Sequence, residues 1–217
     1  MLYIVATPIG NLKDITLRAI EILKSVDLIA CEDTRHSRIL LKPYGIQTPT
    51  TSYYQHNRFT KAEYLLKRLR QGDDVALISD AGTPGISDPG YHLINLAIKN
   101  NIPLTVIPGA SALITALVLS GKPAHKFIFE GFLPNKTAAR CRRLGELKGL
   151  DYTFIAYESC HRIIATLDDI QDIFGDIPIV VTRELTKKFE EVLRNRVSQV
   201  RGHLAKSKPR GEFVIII

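Results

Sequence analysis

Short apolar runs alternate with amphipathic stretches along this 217-residue chain. Residues 2–6, 28–31, 75–78 and 104–107 are apolar runs too short for helices and suited to strands buried on both faces. Between them, Ile15, Ala19, Ile22, Leu23 and Val26 share one helical face, with Asp14 as the expected cap. Ala62, Leu65, Leu66 and Leu69 mark a second such face, ending near Gly72. A helix is expected to open at Glu32-Asp33-Thr34-Arg35-His36 and run through Leu41, stopping before Pro43. Further helices are predicted over 91–99 and 112–119.

This strand–loop–helix alternation predicts an α/β domain with a mostly parallel sheet over residues 1–121. Gly121-Lys122-Pro123-Ala124-His125 breaks the pattern, and the domain boundary is expected there. A second, smaller α/β domain over 122–217 then carries strands at 127–130, 152–157, 179–182 and 213–217. Its helices are expected over 136–148 and over 159–174, with Ser159 as N-cap. The charged stretch between the strands at 179–182 and 213–217 suggests no element.

Three loops follow predicted strands of the first domain: Thr7-Pro8-Ile9-Gly10-Asn11, the stretch from Ser79 to Gly90, and Pro108-Gly109-Ala110-Ser111. In open α/β sheets, ligands bind outside the carboxyl ends of the strands, so these loops are expected to line one crevice. The second is Ser79-Asp80-Ala81-Gly82-Thr83-Pro84-Gly85-Ile86-Ser87-Asp88-Pro89-Gly90. Its glycines tolerate positive φ and close approach by a ligand, and its prolines preset φ. Neither the Gly-x-Gly-x-x-Gly signature nor the Gly-Lys-Ser/Thr phosphate loop is present.

Charge changes the picture in the second half. The chain holds 29 Lys and Arg against 22 Asp and Glu, and of the net +7, residues 122–217 carry +5. That half is the more suited to a polyanion. Cys31, Cys141 and Cys160 are far apart, so neither a disulfide framework nor a zinc site is suggested, and no metal is expected. No apolar run has the length of a membrane span, and the N-terminus lacks a basic export signal, so a cytoplasmic protein is expected.

Several polar residues have both a chemical and a plain structural reading. Asp80 and Asp88 can hold ribose hydroxyls or accept a proton, or bond amides within their own loop. Glu32-Asp33 with Arg35 can be catalytic, but an acidic helix start is also ordinary dipole matching. His161 and Arg162 can meet a phosphate or be solvated on a first helical turn. No Ser/His/Asp or Cys/His spacing supports nucleophilic catalysis.

Six blocks resemble the ribosomal RNA small-subunit methyltransferase I family, of the tetrapyrrole-methylase superfold. They are residues 5–12, Glu32-Asp33-Thr34-Arg35-His36, the stretch from Ser79 to Gly90, Phe129-Glu130-Gly131-Phe132-Leu133-Pro134, Tyr157-Glu158-Ser159 with His161-Arg162, and Arg183-Glu184-Leu185-Thr186-Lys187. The resemblance implies two α/β domains with S-adenosylmethionine in the cleft between them. It also implies a homodimer and 2′-O-methylation of a cytidine ribose in 16S ribosomal RNA, free or in the small subunit.

On that footing Pro8, Asp80, Ala81, Gly82, Thr83, Ile86, Ala110 and Ser111 are the expected cofactor-binding residues. Glu32, Asp88 and Glu158 are the candidate proton acceptors. Arg35, Arg162, Arg183 and Lys187 are the candidate RNA contacts. The chain departs from the family pattern at Ala110 and Cys160, where proline is usual, and at Gln55, where an acid is usual. Longer members carry a helical C-terminal extension absent here. Within the same superfold, the alternative is a methylase acting on a small molecule such as a tetrapyrrole; a non-catalytic RNA-binding module is the alternative from another class.

Overall fold

The apolar runs become a parallel sheet of β1 (Leu2–Val5), β2 (Leu28–Cys31), β3 (Thr50–Ser52), β4 (Val75–Leu77) and β5 (Leu104–Ile107). The structure, a computed structural model, describes residues 1–217 and divides into two units, Met1–Ser111 and Ala112–Ile217. In the first unit the strand order is β3-β2-β4-β1-β5 and every pairing is parallel.

Successive side chains of a strand point to opposite faces. Leu2, Leu28, Ala30, Val75 and Leu77 therefore pack against α3 (Arg58–Arg70) and α4 (Gly90–Lys99). Val5, Ile29, Cys31, Ala76 and Ile78 point the other way, onto Ala19 and Leu23 of α1 (Leu17–Ser25). Burial on both faces is why these strands show no polar alternation. Because all five strands run the same way, the segments after β2, β4, β1 and β5 gather in that order along one rim of the sheet.

Two details differ from the sequence reading. The cap of α1 is Thr16, whose Oγ1 accepts from Ala19 N at 3.1 Å, while Asp14 closes a separate 3₁₀ turn capped by Asn11. β3 was not predicted: Thr50-Thr51-Ser52 is an edge strand and presents no apolar run.

The second unit begins with α5 (Ala112–Ser120), which the sequence reading placed in the first domain; it packs on β10 (Glu212–Ile216). The remaining elements are β6 (Phe127–Phe132), α6 (Thr137–Lys148), β7 (Thr153–Ser159), α7 (Ile163–Phe174), β8 (Pro178–Arg183), β9 (Glu191–Arg196) and α8 (Val197–Leu204). The sheet runs β6-β7-β10-β8-β9, with β6 and β7 parallel and the other neighbours antiparallel. Phe154, Ala156, Ile179, Val181, Phe213 and Ile215 form one face and pack with Leu144, Leu167 and Val200 from α6, α7 and α8.

α7 starts at Ile163 rather than Ser159, because Ser159 is still in β7 and pairs with Glu212. β9 and α8 lie in the charged stretch to which no element was assigned. β9 pairs only with β8 and its last residues are exposed, so its polar composition is that of a solvated sheet edge.

Candidate active site

The rim of the first sheet is held by a short set of backbone contacts. Thr7 N donates to Gly82 O at 2.9 Å and Gly82 N to Thr7 O at 3.1 Å, joining the loops after β1 and β4. Thr7 Oγ1 adds a bond to Ser79 O at 3.1 Å. Gly82 has φ +80°, and a Cβ there would lie 3.6 Å from Ile9 Cγ2 and 3.8 Å from Ala110 O. The loop after β5 therefore reaches the same place. At Gly109 a Cβ would come within 3.0 Å of Ala6 Cβ, so only glycine lets these backbones approach this closely.

Asp80, Ala81 and Ile86 are exposed on this rim, Pro8 and Gly82 are buried, and Thr83, Ala110 and Ser111 are half-buried. The structure thus brings the eight expected cofactor-binding residues onto three adjoining loops of one unit. What they offer is backbone groups, hydroxyls and an apolar side chain, with carboxylates nearby.

Those carboxylates differ in how their oxygens are used. Asp88 Oδ1 accepts from Gly85 N at 2.9 Å and Gly90 N at 2.7 Å, and Oδ2 accepts from Gly85 N at 2.8 Å. Both its oxygens thus serve the loop. Burial raises the Asp88 carboxyl above its ordinary pKa, against the pull of those amides. Glu32 Oε1 accepts from Asp80 N at 3.3 Å, tying the end of β2 to the loop after β4, and no protein donor meets Oε2. Burial raises Glu32 as well; the Asp80 amide opposes this, and the charges of Asp80 and Asp88 add to it. This end of the sheet is a negative field, suited to a cationic ligand and poor for a phosphate.

The second rim belongs to the other unit. β6, β7 and β8 all end on the edge where β10 begins, since β10 runs antiparallel to β7 and β8. Glu158 is buried there: Oε1 accepts from Ser159 N at 2.7 Å, and Oε2 from Thr166 Oγ1 at 2.6 Å and Arg162 Nη2 at 3.0 Å. Arg162 in turn donates to Leu133 O at 2.8 Å and to Asn135 Oδ1. Arg183 pairs with Glu191 at 3.3 Å, and Lys187 with Glu184 and Glu212 at 3.0 and 2.9 Å. Burial lowers the Lys187 pKa, but its two carboxylate partners outweigh this and leave it above its ordinary value.

Three of the four candidate RNA contacts therefore share one edge, each braced by an acid. The fourth, Arg35, lies at the start of α2 (Thr34–Leu41) in the first unit, 91% exposed and bonded to Asp33.

Sequence reasoning missed the conformation of this second rim. Glu184 and Thr186 both have positive φ, at 49° and 65°, which for a β-branched threonine is rare. Gly211, at φ +92°, leaves no room for a side chain because a Cβ would come 2.5 Å from Glu184 Cγ. Only the glycine was visible as a signal. A cavity of about 530 Å³ lies between α2 and β3, lined in part by Arg38 and Lys42, and includes none of the loop residues above. Volume alone therefore does not locate the chemistry here.

Residues 1–201 match the family of tetrapyrrole (corrin/porphyrin) methylases. The chain belongs to that family. Within this methylase family it is 50% identical over 220 residues to the ribosomal RNA small subunit methyltransferase I of Pasteurella multocida, spanning 100% of the chain and 78% of the relative. It is 44% identical over 216 residues to the protein of the same name from Thermotoga maritima, spanning 97% of that relative. Diphthine synthase, 13% identical, superposes with TM-score 0.77 over 99% of this chain and 88% of its own. Uroporphyrin-III C-methyltransferase from Thermus thermophilus, solved with S-adenosyl homocysteine, does so with TM-score 0.68 at 16% identity over 99% and 96%. The methylase fold expected from the sequence is thus the fold observed.

Proposed function

We propose that this methylase transfers the methyl group of S-adenosylmethionine to the ribose 2′-hydroxyl of a cytidine in 16S ribosomal RNA, acting as a homodimer in the cytoplasm. The observation that carries the reading is identity near one half, over the whole chain, to ribosomal RNA small subunit methyltransferase I. The residues suit the cofactor: Gly82 and Gly109 open a backbone-lined crevice, and Glu32 and Asp80 supply the negative field that a sulfonium and an ammonium call for.

When bound, S-adenosylmethionine supplies an electrophilic methyl carbon. The chain's part is to hold and align. Backbone groups of residues 80–83 and 110–111, with Pro8 and Ile86, form the rim that grips the cofactor, and alignment of this kind can supply about 7–11 kcal/mol of a barrier. Glu32, with Oε2 unengaged, takes the proton that the ribose hydroxyl releases. Asp88 shapes the loop through its two amide partners. Glu158 orients Arg162 on the second rim. Arg35, Arg162, Arg183 and Lys187 meet RNA phosphates.

Labelled-methyl incorporation tests the reading directly, offered assembled small subunits, naked 16S RNA and a tetrapyrrole in parallel. Methyl in the ribosomal substrates, mapped to a ribose, is the expected result. Methyl in the tetrapyrrole alone would replace it with the small-molecule reading. Sedimentation of the intact chain reads the dimer.

A further inference from the structure

One face of the first unit carries aromatic rings that its core does not need. The apolar face of α3 is complete with Ala62, Leu65, Leu66 and Leu69, all buried. Phe59, on the first turn of the same helix, is 61% exposed, and Tyr91, at the start of α4, is 67% exposed. The Phe59 ring meets His92 edge to face, centroids 4.8 Å apart at 74°, and the Arg58 guanidinium lies 4.8 Å from its centre. Just before α3, Tyr54 is exposed and packs edge to face on His56 at 6.2 Å. The Phe59 and Tyr54 rings are thus propped in place, and all three rings stay exposed to water.

The surroundings are basic and fixed. Between residues 53 and 70, Glu63 is the one carboxylate against Arg58, Lys61, Lys67, Arg68 and Arg70; of these Arg68 is paired with Asp73, which leaves Arg58, Lys61, Lys67 and Arg70 in excess. Asn57 holds the turn before α3, accepting from Tyr54 N at 2.8 Å and donating to Ser52 O at 3.2 Å. The buried Tyr53 hydroxyl donates to Pro89 O at 3.2 Å, so this segment is anchored to the end of the loop that runs from Ser79 to Gly90. The patch therefore adjoins the rim assigned to the cofactor.

We infer that this face, built from Tyr54, Arg58, Phe59, Tyr91 and His92, is a stacking platform for unpaired bases of an RNA substrate. The inference rests on the RNA-methylating reading above and adds where the strand beside the target is held. Exposed rings interleaved with cations are what a single-stranded nucleic acid requires: bases stack on the rings and phosphates meet the cations. A protein partner would match the rings but not the excess of positive charge.

The test uses the full chain and a fluorescently labelled, unpaired oligoribonucleotide, with binding read by anisotropy. Phe59→Ala and Tyr91→Ala should each weaken binding about 5- to 160-fold, the range for loss of one stacked base. Phe59→Tyr, which keeps a ring, should bind like the parent chain. Affinity for S-adenosylhomocysteine, measured by calorimetry, should be unchanged in all three. Unaltered RNA affinity in both alanine variants would overturn the inference, as would a change in sedimenting mass without a change in RNA affinity, which would make this a protein contact. Methyl transfer by the parent chain to ribosomal substrates, with the alanine variants equally active and equally tight, would sink the platform and leave the proposed function standing.

Discussion

Glu32 and Asp88 lie on the same rim, yet hydrogen bonding separates their parts. Asp88 has both oxygens occupied by backbone amides of its own loop, whereas Glu32 keeps one oxygen free of protein donors. If Glu32 accepts the proton, Glu32→Gln should lower turnover by about 10²- to 10⁴-fold while cofactor binding is retained. The same change should raise stability. The folded state lifts the Glu32 pKa above its unfolded value, so at a pH above both values the charged carboxylate costs stability that a neutral glutamine does not. Glutamine can still accept from Asp80 N. Melting curves of the two proteins should therefore differ near neutral pH and converge in acid, where Glu32 is protonated. A variant that is more stable yet fully active would remove Glu32 from the chemistry.

At the scale of elements, the helices show which local signals were decisive. A carboxylate at position 14 looked like the cap of α1, but Thr16 holds that place because the chain first makes a 3₁₀ turn at Leu12–Asp14. Thr16→Ala should cost about 1 kcal/mol in urea unfolding, while Asp14→Ala should cost much less. Ser159 illustrates the opposite conflict. It is a good N-cap by type, but the ladder to Glu212 extends β7 through it and delays α7 to Ile163. β9 escaped notice for a related reason: an edge strand is stabilised by pairing with one neighbour and needs no apolar alternation of its own.

For the molecule as a whole, charge is divided by place. The end of the first sheet is negative around Glu32, Asp80 and Asp88, the bases on the rim of the second sheet are each paired with an acid, and α3 carries an excess of Lys and Arg. Binding of RNA should weaken steeply with salt, and Arg35→Ala and Arg183→Ala should each reduce the slope of log K against log salt by about 0.7 to 0.9, one phosphate contact. Filter binding across a salt series reads this, and an unchanged slope would exclude that residue as a phosphate contact. The effect should be cleaner for Arg35, whose one partner is exposed, than for Arg183, whose loss also strips a partner from Glu191 and leaves that carboxylate to His203 alone.

What could be read from residue order was what depends on local pattern. Apolar runs and helical spacing located eight of the ten strands, all but β3 and β9, and seven of the eight helices, all but α8, because burial on two faces or one stripe dictates them directly. The six motif blocks named the family and its cofactor, and turn chemistry marked the loops of the first rim. Tertiary structure decided the rest. Which carboxylate keeps a free oxygen depends on the amides of Gly85, Gly90 and Asp80 being brought to it by the fold. The left-handed backbone at Glu184 and Thr186, and the meeting of Phe59 with His92 across two helices, likewise follow from long-range packing, on which residue type and spacing are silent.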